Sequence, residues 1–272
     1  MLCGFFYSLP FIGGVLKFFH MYSPLEQFSI FPLLVLQIGF FDLSLTNQSL
    51  VLLLIILLTF IFFFSTFKFS DNTLFLVPGR LQSLFEIFYT AVLGLVIENI
   101  SSKRAQQFFP LIYTIFFLVA FINVIGLIPY SFTVTSHFIA TFVLGFSVFI
   151  GINIYAIRIH GLKIFSLFLP SGTPLVLSFL IVPLEFVLYF FRPVSLSIRL
   201  FCNMMAGHIL LKIFAGFAYT LINFSGILFF FHIIPLLILF PLIGLEFAVA
   251  IIQSFVFSLL ICIYLNDSLN PH

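Results

Sequence analysis

The chain has 272 residues, of which 63% are hydrophobic and only 7% are charged, and its mean hydropathy is +1.33. Soluble domains carry about 25% charged residues, so this chain could not cover a water-facing surface, and its composition predicts an integral membrane protein. The net charge of +2 comes from basic residues scattered along the chain, which excludes a basic patch for nucleic acid. The three cysteines are far apart and show neither ligand nor disulfide spacing, so we interpret them as small apolar packing residues.

Residues 1–49 form a mixed N-terminal segment that is interrupted by proline, glycine and asparagine. Residues 50–67 follow without a single charge. Eighteen helical residues rise about 27 Å, which just spans a hydrocarbon core of about 30 Å. The first membrane helix is therefore predicted over 50–67, and residues 50–272 are predicted to form a single membrane domain.

Residues 80–100 have a different pattern, because apolar side chains recur at helical spacing and polar side chains occupy the rest of the helical wheel. The apolar set comprises Leu81, Leu84, Phe85, Phe88, Val92 and Leu95. This pattern predicts an amphipathic helix that lies along the membrane surface. A helix packed against a soluble partner is the alternative.

Two more membrane helices are predicted over 106–129 and 137–157, with a short polar turn between them. That turn has no basic residue, whereas the segments before and after the two helices do. The basic residues of those segments are Lys68, Arg80, Lys103, Arg104, Arg158 and Lys163. By the positive-inside rule, the basic segments face the matrix or the cytoplasm.

The last two apolar stretches, 174–213 and 217–265, are too long for ordinary spans. As straight helices they would measure about 60 and 73 Å, which is about twice the membrane thickness. Either each is a pair of spans or each is one strongly tilted helix. Four spans need tight turns, and none is visible within 184–213, so we expect two long tilted helices that form a hairpin around a turn near 216–226. The predicted fold is all-α, with about five membrane helices and one amphipathic surface helix.

Arg199 stands in the middle of an apolar stretch, SLSIRLFCNMMAGHILLKI at 195–213. Its guanidinium stays charged, and a charge at membrane depth costs about 2.5–3.5 kcal/mol on insertion scales. Such residues usually face a partner or an aqueous path. Asn203, four residues on, lies on the same helix face, whereas His208, nine residues on, points about 180° away from Arg199.

Further polar residues recur at intervals of seven. Glu185, Arg192 and Arg199 have this spacing, which keeps them on one helix face with a drift of about 20° per step. In the last apolar stretch, Glu246 and Gln253 are also seven apart and share a face. Antiparallel packing of the two long helices would bring these two residues near the first of them.

Glutamate and histidine side chains can accept and release protons, and burial tunes their pKa values, whereas an arginine stays protonated. We hypothesise that Glu185 serves one access path and that His208 with Glu246 serves another, kept apart by Arg199. The alternative is a structural ion pair between Arg192 and Glu185 that only orients helices. The sequence has no phosphate loop, nucleophile motif or Cys/His ligand pattern, so we expect neither ATP chemistry nor a metal or other cofactor on this chain.

Four segments resemble subunit a of F-type ATP synthases, especially the mitochondrial form of plants, algae and related protists. They are SPLEQF at 23–28, NVIGLIPYSFTVTSHF at 123–138, SLSIRLFCNMMAGHILL from residue 195, and LEFAVAIIQSFVFSLLICIYL at 245–265. The 45 phenylalanines against no tryptophan also suit an AT-rich organelle gene. The resemblance implies a multi-pass protein of the mitochondrial inner membrane.

The resemblance also implies a function, which is to translocate protons as the stator part of the ATP synthase membrane motor. Two half-channels would lead protons to and from a carboxylate on a rotating ring of c subunits, with Arg199 facing that carboxylate and Glu185 on the exit side at the matrix face. The entry-side positions implied by the resemblance are Asn203, His208, Glu246 and Gln253. Arg192 and Asn123 are secondary candidates. The implied partners are the c-ring, the peripheral stalk, other membrane-sector subunits, the lipid bilayer and protons.

Two residues of the motif vary within the family in a complementary way. Bacterial members tend to have an acid where His208 stands and a histidine where Glu246 stands, which suggests that the two positions lie close together.

Two other classes of protein remain as alternatives. A secondary transporter would usually show internal repeats with matched broken helices, and none is visible. A hydrophobic respiratory-complex subunit with a buried charge chain would lack the arginine-centred block.

Overall fold

The computed structural model describes residues 25–35, 37–38, 41–42, 44–70, 80–100, 102–128, 131–161, 175–223 and 228–269. Within these ranges the α-helices are α1 (Asn47–Ser70), α2 (Arg80–Asn99), α3 (Ser102–Gly126), α4 (Phe138–His160), α5 (Leu175–Asn223), α6 (Leu228–Phe231) and α7 (Ile233–Leu269). The strands of the same ranges are β1 (Pro32–Leu34), β2 (Gln37–Ile38), β3 (Phe41–Asp42) and β4 (Leu45–Thr46). β1 pairs with β4 and β2 with β3, both antiparallel.

Five helices, α1, α3, α4, α5 and α7, are long and apolar enough to cross a membrane. This confirms the predicted all-α membrane fold. The amphipathic helix is also present as α2, because Val92 and Val96 are buried on one face while Glu86 and Thr90 are exposed on another. Its location at the membrane surface and the tilt of α5 and α7 stay predictions.

The two longest helices begin and end elsewhere than the sequence predicts. α5 runs for 49 residues and continues through Gly216 to Asn223, whereas α7 begins only at Ile233 and has 37 residues. A single glycine costs a helix only about 1 kcal/mol relative to alanine, which is too little to end a long helix with apolar residues on both sides. α5 therefore extends ten residues beyond its predicted end at 213. Residues 224–226 of the predicted turn lie outside the described residues, as do 1–24, 36, 39–40, 43, 129, 174 and 227 of the predicted segments.

The chain divides into two compact units, and the larger comprises Gln48–Met204 with Phe247–His272. Its core is an apolar cluster to which α2, α3, α4, α5 and α7 contribute. Fully buried members of the cluster are Val92, Val96, Ile112, Val119, Leu200, Phe257 and Ile261. Phe62 of α1 packs against the cluster, with its ring centroid 4.6 Å from that of Phe117. Burial of one face of α2 in this core explains its amphipathic pattern.

The smaller unit comprises Met1–Asn47 with Met205–Glu246. The two strand pairs belong to it. Asn47, the first residue of α1, ties the strand region together, because its Nδ2 donates to Ser29 O at 3.1 Å and its Oδ1 accepts from Phe31 N at 3.3 Å. The organisation of residues 50–272 as a single domain stays a prediction.

Candidate functional site

Arg199 lies in the middle of α5 and is exposed, although Leu200 beside it is buried. Among the residues that the structure describes, it forms no ion pair with a carboxylate. The nearest charged residues on the same helix face are Arg192 and Glu185. They lie about two and four turns before Arg199. The arrangement therefore presents a permanent cation on the outside of an apolar helix.

The segment of α5 that precedes Arg199 packs tightly against α4. Ser197 is buried, and its hydroxyl donates to Pro193 O at 2.8 Å. A Cβ at Gly145 of α4 would lie 2.5 Å from Ser197 Oγ and 3.4 Å from Pro193 O. Proline breaks the hydrogen-bond ladder of a helix, so the proline segment of α5 is held by its own serine and by a glycine of the neighbouring helix.

Asn203 and Gln253 are brought together by the packing of α5 against α7. Asn203 Nδ2 donates to Gln253 Oε1 at 3.0 Å, and Gln253 is buried. Asn123 of α3 is fully buried and donates through Nδ2 to Ala250 O at 3.4 Å. Its Oδ1 has no hydrogen-bond partner among the described residues. Side-chain amides that can donate and accept hydrogen bonds thus lie at the contacts of α7 with α3 and α5 in the larger unit.

Arg192 forms an ion pair with Asp267 of α7, with Nη1 and Oδ2 2.8 Å apart. Its guanidinium carbon also lies 5.3 Å from the ring centroid of Tyr264 and 5.9 Å from that of Tyr189. Together with the Asn203–Gln253 contact, this pair shows that α5 and α7 run antiparallel, because the residue number rises on one helix as it falls on the other.

The alternative in which Arg192 pairs with Glu185 is wrong. Seven residues of helix rise about 10.5 Å, which is too far for an ion pair between side chains on one helix. Glu185 is half-buried on α5, and Arg192–Asp267 is the ion pair that the described residues contain. Asp267 escaped the sequence analysis, although a signal existed: it lies fourteen residues after Gln253, on the same heptad face of α7.

Glu246 belongs to the smaller unit and is 6% exposed. Neither of its carboxylate oxygens has a hydrogen-bond partner among the described residues. Its side chain lies against Gly207, where a Cβ would be 2.8 Å from Glu246 Cδ and 3.0 Å from Glu246 Cγ. His208, the next residue along α5, is half-buried in the same unit. Gly207 is a second residue that sequence reasoning missed.

A metal site finds no support in the described ranges, where no three His, Cys, Asp or Glu side chains lie close enough together to hold an ion. The groups that are present can donate, accept and exchange protons. In the larger unit they are two arginines, two carboxylates and three amides, namely Arg192, Arg199, Glu185, Asp267, Asn123, Asn203 and Gln253. In the smaller unit they are His208 and Glu246.

The comparisons with known proteins agree on one family. The sequence profile of the family described as ATP synthase A chain matches residues 49–266. The chain is 51% identical over 252 residues to ATP synthase subunit a of Marchantia polymorpha, which covers 92% of this chain and 99% of that protein. It is 47% identical over 250 residues to ATP synthase subunit a of Chondrus crispus, covering 92% and 97%. It is 49% identical over 265 residues to ATP synthase subunit a-2 of Arabidopsis thaliana, covering 96% and 75%.

Proposed function

Since the chain belongs to the ATP synthase A chain family, we propose that it is the stator subunit that leads protons to and from the rotating c-ring of the mitochondrial ATP synthase. The five helices of membrane-spanning length in the described part of the chain fit a multi-pass subunit of the membrane sector. In this function the protein couples proton flow across the inner membrane to ATP synthesis. The ATP chemistry itself belongs to other subunits.

The observation that carries the proposal is that Arg199 is exposed and forms no ion pair among the described residues. A charge on an apolar helix costs about 2.5–3.5 kcal/mol at membrane depth, and no carboxylate among the described residues offsets this cost. A carboxylate on a neighbouring subunit would offset this cost. Arg199 would attract that carboxylate only while the carboxylate is ionised. A ring that carries such carboxylates is therefore a partner that suits the exposed face of α5.

Protons would reach and leave the ring carboxylate by two separate half-channels. On the entry side, the amides of Asn203 and Gln253 offer donors and acceptors, while His208 and Glu246 can take up and release protons. On the exit side, Glu185 lies four turns before Arg199 on α5 and would receive protons at the matrix face. Arg199, which cannot give up its proton, would prevent protons from passing directly between the two paths.

Two further residues have supporting parts in this proposal. Asn123 is fully buried beside α7 and would extend the polar lining of the entry path. Arg192 is neutralised by Asp267 and would act by holding α5 and α7 together. The partners are the c-ring, the peripheral stalk and other membrane-sector subunits, with lipid around the remaining apolar surface.

The proposal is tested by replacing Arg199 with glutamine and measuring ATP synthesis and passive proton conductance in parallel. We expect synthesis to collapse while the complex still assembles, because the uncharged side chain neither attracts the ring carboxylate nor blocks a proton leak. Arg158→Gln is a matched control, since Arg158 is an exposed arginine near the end of α4. Near-normal synthesis in Arg199→Gln membranes would refute the assignment of Arg199 and the mechanism with it.

A further inference from the structure

The contact between Gly207 and Glu246 is closer than any side chain at position 207 would allow. A Cβ there would lie 2.8 Å from Cδ of the glutamate and 3.0 Å from its Cγ, and real Cβ atoms essentially never approach another heavy atom within 3.0 Å. The carboxyl group of Glu246 therefore occupies the volume that a side chain at 207 would fill.

We propose that Gly207 is a positioning residue for Glu246, because the missing side chain at 207 creates the space in which the carboxyl group lies. This inference rests on the proposed function, in which Glu246 exchanges protons on the entry side. The carboxyl group is held there by shape, since neither of its oxygens has a hydrogen-bond partner among the described residues. Glu246 is also 94% buried, as it is 6% exposed, so the surrounding protein limits where a displaced carboxyl group could go.

Two other glycines of the smaller unit have no such close approach. Gly216 lies on the same helix and Gly244 lies two residues before Glu246, and a Cβ at either of them would have no atom within 4 Å. An alanine at 216 thus changes the backbone preference of α5 in the same way as an alanine at 207, without meeting the glutamate. Gly216→Ala is therefore a control for every effect of the substitution other than the clash.

The space beside Gly207 also determines how long an acidic side chain at position 246 can be. A glutamate reaches one methylene further than an aspartate, which is about 1.5 Å. If an alanine at 207 pushes the carboxyl group back, then an aspartate at 246, whose carboxyl group already lies nearer the backbone of α7, should fit beside that alanine. The two positions are therefore expected to show reciprocal rescue.

The experiment compares Gly207→Ala, Gly216→Ala, Glu246→Asp and the double variant Gly207→Ala/Glu246→Asp in membrane vesicles. ATP synthesis driven by an imposed proton gradient is divided by the amount of assembled complex on native gels. Misplacing a reacting group by about 1 Å can cost about 100-fold in rate, so we expect Gly207→Ala to lose about 10- to 100-fold while Gly216→Ala stays within about twofold of the native rate. The double variant should be more active than either of its single variants.

The inference is overturned if Gly207→Ala is as active as Gly216→Ala, or if the double variant is no better than Gly207→Ala. Should Gly207→Ala fail to assemble, recovery of assembly and synthesis in the double variant supports the inference, and its absence refutes it. Glu246→Gln separates this inference from the proposed function. If Glu246→Gln is inactive and Gly207→Ala is normal, only the role of Gly207 is lost, whereas a fully active Glu246→Gln removes the entry-side role of Glu246 and this inference together.

Discussion

Removal of either partner of the Arg192–Asp267 ion pair should weaken the packing of α5 on α7 by a small, measurable amount. The two side chains are 31% and 39% exposed, so the pair contributes only about 1 kcal/mol. The guanidinium also lies 5.3 Å and 5.9 Å from the ring centroids of Tyr264 and Tyr189, and each such contact adds about 0.5–1 kcal/mol. Asp267→Asn should therefore cost about 1 kcal/mol, and Arg192→Gln about 2–3 kcal/mol.

The assay is the temperature at which half of the complex loses its assembled form on native gels. A loss of about 1 kcal/mol lowers a melting temperature by about 2–4 °C in a chain of this order of size, so Arg192→Gln should shift the midpoint two to three times as far as Asp267→Asn. Arg158→Gln serves as the control, because it removes an exposed arginine that forms no ion pair among the described residues.

The double variant Arg192→Gln/Asp267→Asn completes the cycle. Because the two side chains interact directly, the stability losses of the two single variants should add up to more than the loss of the double variant. We expect this difference to be about 0.5–1 kcal/mol. If the losses instead add within about 0.3 kcal/mol, the two residues are not coupled. A stabilising role of their ion pair in the packing of α5 on α7 is then refuted.

Two further substitutions test local features of the larger unit. Gly145→Ala should destabilise the complex by about 1–3 kcal/mol, because the new Cβ would overlap the Ser197 hydroxyl and displace it from its hydrogen bond to Pro193 O. Gly151→Ala on the same helix should not destabilise the complex, because a Cβ there would meet nothing within 4 Å. Equal melting temperatures for the two variants would contradict the prediction. Burial lowers the pKa of His137 below its usual value, so the folded state binds its proton less readily than the unfolded state. The contribution of this histidine to the free energy of unfolding is then complete above about pH 6.5 and decreases as the pH falls below that value. His137→Gln should flatten this dependence, and an unchanged pH profile of the melting temperature would contradict it.

Features that lie within one helix could be predicted from the sequence. Five apolar stretches and one amphipathic stretch were recognisable, since length and periodicity are local properties. The prominence of Arg199 also followed directly, because one charge in a long apolar stretch is conspicuous. The shared face of Glu246 and Gln253 followed from their spacing of seven residues. The boundary between the two long helices was not recoverable in this way, because the cost of one glycine is smaller than the gain from continuing an apolar helix.

Contacts between helices were decided by the tertiary structure alone. The sequence places Asn203 on a helix face, and packing decides that Gln253 meets it at 3.0 Å. Arg192 had a candidate partner on its own helix, yet the antiparallel neighbour supplies Asp267 instead. Gly207 looks like any other glycine until a glutamate from another part of the chain lies against it. Periodicity determines which side chains share a face, but which faces meet depends on how the shapes of several helices fit together.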